Sequence, residues 1–250
     1  MIYKTHSIHR IFGSYPGNYE LLQVFDTVRG HIIDKTIVSI ENTQFWATTE
    51  GIFAYEGGGN PVNMTPAVKD TFAGVNQAYI DTAVAVGHKN KYIVFLPEGT
   101  SQVPNMAIEY DIDTKQYTVK RGFNVSTLLL LDDVLIIADG DGKLYKYDDS
   151  DTWDGAAISS TYETGYMFMK NNTVKVEEVY FVGSGSGTVR LHVITDKKDK
   201  YIDIPLTTTE KSYYKTISNI GKWLAFKFEN LNGCDFEVKQ PQFTCTVEAD

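Results

Sequence analysis

A short hairpin pattern recurs in the first 150 residues and constrains the fold more than any other feature. The segment 45–47, a turn ending at Gly51 and the segment 52–55 match the segment 136–138, a turn ending at Gly142 and the segment 144–147. Segments 93–95 and 107–110 have the same form around a longer loop. The hairpins end in Tyr55, Tyr110 and Tyr147, and their mean separation of about 45 residues is the length of a four-stranded propeller blade. The pattern predicts blades that stack face to face.

Runs rich in Val, Ile, Thr, Tyr and Phe fill the rest of the chain, and only 66–79 could hold a short helix. The sequence therefore predicts an all-β protein. Three hairpins do not close a ring, which needs about four to eight blades, so either the first 35 residues add part of another blade or the arc stays open. From about residue 156 the strands lengthen, and 183–187 reads as a hairpin turn. The last predicted strand, 236–247, is expected to break near Pro241. We predict a propeller-like domain of four-stranded blades over 1–155 and a β-sandwich domain over 156–250.

Composition excludes several classes of protein. Lys and Arg number 23 against 32 Asp and Glu, for a net charge of −9, which disfavours tight binding to phosphate backbones. The longest apolar run, 128–138, contains Asp132 and Asp133 and is too short to span a bilayer. The first 13 residues are too polar for a secretory signal, so we expect cytoplasmic synthesis and two free, buried thiols, Cys234 and Cys245.

Candidate sites each have a simpler structural explanation. Asp139 and Asp141 suggest a calcium loop, but Lys143 and Ser150 stand where an EF-hand needs ligands, so a tight hairpin turn is favoured. His6 and His9 could bind a metal ion weakly, but in a strand a spacing of three puts them on opposite faces, which favours solvated side chains. No nucleophile elbow, phosphate loop or dinucleotide fingerprint occurs. We predict no catalytic, cofactor-binding or metal-binding residue and no cofactor.

Two features hint at glycans. The segment 150–153 looks like part of the Asp-box of sialidase-like propellers, but it lacks the glycine of that motif, and we treat the match as coincidence. The chain has 16 Tyr and 13 Phe. An aromatic groove for glycans is one explanation for them, and a blade core is the favoured one.

The order of these elements resembles the propeller-plus-sandwich structural proteins of tailed bacteriophages, namely the tail hub, nozzle and DNA-stabilisation proteins. In the first domain the resemblance is carried by 30–33, 36–40, 45–52, 92–95, 108–111 and 135–145. In the second it is carried by 173–176, 179–182, 223–228 and 236–238.

The resemblance implies a non-enzymatic structural subunit of a phage tail or head-to-tail connector, placed around or next to the DNA channel of the virion. Its partners would be other tail or neck proteins and further copies in a homo-oligomeric ring, since uncovered sheet faces need a partner. DNA would only pass by, repelled by carboxylates. The alternative is a receptor- or glycan-binding module at a tail tip. A glycan hydrolase comes third, because it needs paired carboxylates about 5 to 10 Å apart, which spacing cannot reveal.

Overall fold

The computed structural model describes residues 1–4, 7–25, 30–57, 59–147, 152–169 and 172–248. Strands hold 57% of the residues and helices 9%, which confirms the predicted all-β, propeller-like fold. The chain divides into two compact units, Met1–Asp149 and Ser150–Asp250. No helix in the described part of the chain has the length and apolarity needed to cross a membrane.

The first unit consists of four antiparallel sheets in chain order. The first sheet contains β1 (Ile2–Tyr3), β2 (Ile8–Phe12) and β3 (Glu20–Phe25). The second contains β4 (Val38–Ile40), β5 (Thr43–Thr48), β6 (Gly51–Tyr55) and β7 (Val62–Asn63). The third contains β8 (Val84–His88), β9 (Lys91–Leu96), β10 (Met106–Asp111) and β11 (Tyr117–Arg121). The fourth contains β12 (Thr127–Leu131), β13 (Val134–Ala138) and β14 (Leu144–Lys146).

Helical structure in the described chain is confined to short segments. The helix α1 spans Lys69–Ala73, within the predicted window, and follows a 3₁₀ turn at Thr65–Val68. Further 3₁₀ turns lie at Pro16–Asn18, Asp34–Thr36 and Gln77–Thr82.

The two inner sheets of this unit bury both of their faces. On the second sheet, Phe45 packs toward the third sheet and stacks on Tyr92, whereas Trp46 packs toward the first sheet and contacts Tyr3. On the third sheet, Phe95 lies on the opposite face from Tyr92 and packs against Tyr147. Burial on both faces explains why β9 is apolar almost throughout rather than alternating.

The three predicted hairpins are confirmed. Trp46 pairs with Phe53, Val94 with Ile108, and Ile137 with Tyr145. The N-terminal segment does supply a further sheet, and within the described residues the two outer sheets have three strands each rather than four.

The second unit is a β-sandwich. It begins with a small hairpin of β15 (Thr152–Trp153) and β16 (Ala156–Ala157). One sheet contains β17 (Thr161–Glu163), β18 (Met167–Phe168), β20 (Thr188–Thr195), β21 (Asp199–Pro205) and β23 (Trp223–Asn230). The other contains β19 (Thr173–Gly185), β22 (Lys211–Gly221) and β24 (Phe236–Glu248). Fully buried side chains such as Val176, Phe181, Leu191 and Phe228 fill the space between the sheets.

Two local predictions in this unit are wrong. The segment 183–187 is not a hairpin turn, because β19 and β20 belong to different sheets and the chain crosses between them. The glycines serve close packing there: a Cβ on Gly187 would lie 2.6 Å from the Cβ of Cys234. The last strand is not broken at Pro241 but continues through it with a bulge opposite Tyr180 and Val182.

Candidate functional site

The outer face of the five-stranded sandwich sheet carries exposed aromatic and ionic side chains. Alternation along β20 and β23 sends one set of side chains into the core and the other set outward. Three aromatic residues lie at one end of this outer face, and we call them the platform: Tyr166, Phe168 and Trp223. Six residues lie further along the same face, and we call them the ionic row: Arg190, His192, Tyr201, Asp203, Lys227 and Glu229.

A bulge builds the platform. Glu163 pairs with Lys227 and Met167 pairs with Leu224, so the edge strand has three intervening residues where β23 has two. The extra residue is accommodated between β17 and β18, where Thr164 Oγ1 accepts a hydrogen bond of 2.9 Å from the backbone N–H of Phe226. Bulges of this kind re-aim side chains and are frequent beside functional sites.

The re-aimed Tyr166 ring meets Trp223 edge-on, with ring centroids 4.7 Å apart. Phe168 is the direct cross-strand neighbour of Trp223 and therefore projects from the same face. Tyr166 is 64% exposed and Phe168 72% exposed. Exposed large aromatic groups in one cluster mark a binding surface more often than an ordinary solvated surface.

The ionic row is held together by its own contacts. Arg190 binds Asp203 through two hydrogen bonds of 2.7 and 3.0 Å, and its guanidinium lies 4.2 Å from the ring centroid of Tyr201. The Arg190 hydrogen bonds hold the pKa of the Asp203 carboxyl below its usual value. His192 Nδ1 lies 3.0 Å from both carboxylate oxygens of Asp199, on the same face.

Glu229 holds the other end of the ionic row through contacts with Lys227 and His192. Lys227 Nζ and His192 Nε2 lie 3.3 and 3.4 Å from Glu229 Oε2. Arg190, His192 and Glu229 each have a partner on a neighbouring strand, and Lys227 contacts Glu229 on its own strand, so these polar groups are held in position before any ligand arrives.

A polar pocket of about 240 Å³ in the first unit is the second place where functional groups converge. It is lined by Lys91, Glu109, Asp111, Thr114, Gln116 and Thr118. Glu109 and Asp111 share one face of β10, as a pair of catalytic carboxylates would.

Both carboxylates are engaged by the protein itself. The nearly buried Glu109 accepts a 2.9 Å hydrogen bond from the Tyr147 hydroxyl and lies 2.9 Å from Lys120 Nζ and 3.5 Å from Lys91 Nζ. Asp111 Oδ1 accepts backbone N–H groups from 113 and 114, which lowers the pKa of its carboxyl. These contacts give the pair a structural role in the third sheet and its turn.

The structure describes some of the candidate residues from the sequence analysis and leaves others outside the described ranges. Asp139 Oδ1 accepts the N–H groups of Asp141 and Lys143, which confirms the turn explanation for that segment. His6 and the segment 148–151, with the first half of the Asp-box match, lie outside the described residues. Among the described residues, no three His, Cys, Asp or Glu side chains form a cluster able to hold a metal ion.

Two expectations about exposure are wrong. His9 is buried rather than solvated, and its Nε2 lies 3.0 Å from Ser7 Oγ. The cysteines are free thiols, but Cys245 is exposed and Cys234 is only half-buried.

The platform and the ionic row were not predicted from the sequence. The alternation of 188–195 shows that Arg190 and His192 share a face, and this signal was available. The bulge that brings Tyr166 to Trp223 has no sequence signature, because it follows from the pairing of residues some 60 positions apart.

No protein-family model matches this sequence, and no curated protein sequence matches it either. Matches to solved structures include an exo-β-1,3-galactanase from Phanerochaete chrysosporium with galactose, at 10% identity and a TM-score of 0.33, covering 98% of this chain and 74% of that one. They also include a glycoside hydrolase family 43 arabinoxylan arabinofuranohydrolase from Bacillus subtilis, at 8% identity and a TM-score of 0.29, covering 90% and 56%.

These matches overturn two predictions. The two solved structures named above are glycoside hydrolases and not phage tail proteins, so the prediction of a phage tail or connector subunit is wrong, and so is the prediction that the chain is not an enzyme. The physical reason is that the blade hairpins which carried the resemblance are required by any stack of antiparallel sheets. At such low similarity the neighbours transfer no active-site residue and no substrate to this chain.

Proposed function

We propose that this protein binds carbohydrate through the platform and the ionic row of its sandwich unit. The observation that carries the proposal is the cluster of the exposed Tyr166 and Phe168 around the half-buried Trp223 on one sheet face, next to a row of polar groups that contact one another. The proposal rests on this geometry alone.

A sugar ring has an apolar face of C–H groups and a rim of hydroxyl groups. An exposed aromatic side chain offers the C–H face a large and rigid apolar partner. The T-shaped contact with Tyr166 holds the Trp223 ring in one orientation. The platform therefore supplies the apolar half of a sugar site.

The ionic row supplies the polar half. Charged donors and acceptors make stronger hydrogen bonds to a hydroxyl than neutral ones do. Arg190 and Asp203 fix each other, so little side-chain entropy remains to be lost when a ligand binds. Trp223 and Lys227 are four residues apart on β23, about 13 Å along the strand. The face is therefore long enough for an oligosaccharide.

The charge of the face disfavours other partner classes. Two cationic side chains, Arg190 and Lys227, stand among four carboxylates: Glu163, Asp199, Asp203 and Glu229. An excess of carboxylates repels nucleic acid, anionic lipid headgroups and acidic peptides. A neutral polyhydroxyl ligand meets no such repulsion.

An array of neutral and acidic oligosaccharides, probed with the labelled full-length chain, tests the proposal. We expect binding to neutral oligosaccharides, and a loss of about tenfold or more in affinity for Trp223→Ala, since a central aromatic residue contributes roughly 2 kcal/mol or more. Arg190→Lys keeps the charge but loses the two-point contact with Asp203, and we expect a several-fold loss.

The sandwich offers a matched control. Tyr214 is 70% exposed on the other sheet, where its ring lies 4.7 Å from that of Tyr180. Tyr214→Ala removes an exposed aromatic group of the same kind and is expected to bind like the parent chain. An array without any hit, or equal binding by the Trp223→Ala chain, would contradict the proposal.

A further inference from the structure

We propose that copies of this chain associate head to tail, with an apolar β-hairpin of one copy docking on an uncovered leucine-rich sheet face of the next. The hairpin is formed by β2 and β3, and we call it the arm. The uncovered face is the outer face of the fourth sheet, formed by Leu129, Leu131, Val134, Ile136 and Leu144, and we call it the leucine face. The inference is independent of carbohydrate binding.

The leucine face is apolar where a solvated sheet would be polar. Leu129 and Leu131 alternate with the inward side chains of β12 and are 54% and 53% exposed. Leu144 on β14 is 71% exposed. On the opposite face of the same sheet Leu135 and Ile137 are fully buried, and only Leu130, at the end of the sheet, is 45% exposed. A contiguous exposed apolar sheet face marks an interaction surface.

The arm has exposed apolar side chains on both faces at its free end. Ile11 pairs with Leu21, and the two side chains are 49% and 58% exposed. Leu22, whose side chain faces the other way, is 54% exposed. A two-stranded hairpin is marginally stable by itself in water, so an apolar arm of this kind gains stability when another surface covers it.

Neighbouring sheets inside the first unit already pack face to face, as the arm and the leucine face would do between two copies. The second and third sheets bury both faces against neighbouring sheets, whereas the first and fourth each bury only one. A second copy that brings its arm to the leucine face continues the same stacking across a subunit boundary. The two surfaces differ, so the contact is heterologous and produces either a closed ring or an open filament.

Charge distinguishes a second copy from an unrelated apolar partner. In the described first sheet and its turns, the charged side chains are Lys4, Arg10 and Glu20, which leaves an excess of positive charge. The two turns that border the leucine face carry Asp132, Asp133, Asp139 and Asp141 against the single Lys143, and Lys146 lies on β14. The two ends of the arc are thus of opposite sign, which steers the arm of one copy toward the leucine face of another.

Sedimentation velocity of the full-length chain over a range of concentrations tests this inference. We expect reversible association that weakens several-fold when salt is raised, because the charges at the rim are screened. A face variant, Leu129→Asp with Leu131→Asp, and an arm variant, Ile11→Asp with Leu21→Asp, should each sediment as a monomer. Val62→Asp changes an equally exposed valine on the edge strand of the second sheet and should associate like the parent chain.

Mixing the two monomeric variants gives the decisive result. The face variant keeps an intact arm and the arm variant keeps an intact leucine face, so the mixture should form a dimer and nothing larger. A parent chain that stays monomeric at every concentration overturns the inference. Association that survives in either double variant, or a mixture that stays monomeric, overturns the arm-to-face contact.

Discussion

The contacts of the buried Glu109 in the third sheet allow a quantitative test of what stabilises the first unit. Glu109→Gln keeps the size of the side chain but removes the charge that faces Lys91 and Lys120. Hydrogen bonds to a charged group contribute about 1.5–3 kcal/mol each. The contacts from Tyr147 and Lys120, both 2.9 Å, are of this kind, while the 3.5 Å contact from Lys91 adds less than about 1 kcal/mol.

Because glutamine still accepts one hydrogen bond, we expect Glu109→Gln to lower the free energy of unfolding by about 2–4 kcal/mol. Urea unfolding followed by tryptophan fluorescence measures this, since Trp46 is fully buried in the same unit. Glu98→Gln is the control: Glu98 forms a two-point contact of 2.6 Å with a half-exposed Arg121, and its loss should cost less than about 1 kcal/mol. Equal effects of the two substitutions would refute the argument that burial of Glu109 makes its contacts strong.

Two further predictions concern packing and pH. Gly233→Ala should lower the free energy of unfolding by more than about 1 kcal/mol. Gly233 has φ 70°, and a Cβ at this position would lie 2.5 Å from the Cβ of Ala157. A urea unfolding curve that matches that of the parent chain would contradict this prediction. Burial raises the pKa of Tyr3 to about 12, so the folded chain binds this proton more tightly than the unfolded chain. The free energy of unfolding should therefore fall as pH rises from about 10 to 12, and it should fall less in Tyr3→Phe, as urea unfolding across this pH range would show.

Local patterns in the sequence were sufficient for the hairpins of the first unit. Each has two apolar strands within about 20 residues and a turn with a suitable glycine, so the pairing needs no distant information. Burial on both faces of β9 was visible as an unbroken apolar run.

Long-range pairing was the part that the sequence did not reveal. The glycines of 183–187 suit a hairpin turn equally well, and only the assignment of β19 and β20 to separate sheets shows that they cross the sandwich. The platform depends on a bulge in an edge strand, and its position is set by the distant β23.

The most direct test of the account is an NMR titration of the full-length chain with an oligosaccharide that the array identifies. The chain has three tryptophans, so each indole N–H signal can be assigned by substitution. We predict that the Trp223 indole signal shifts progressively with ligand concentration, together with the backbone amides of Arg190 and Lys227, while the buried Trp46 signal stays in place. Shifts confined to the pocket around Asp111, with Trp223 unchanged, would contradict the account.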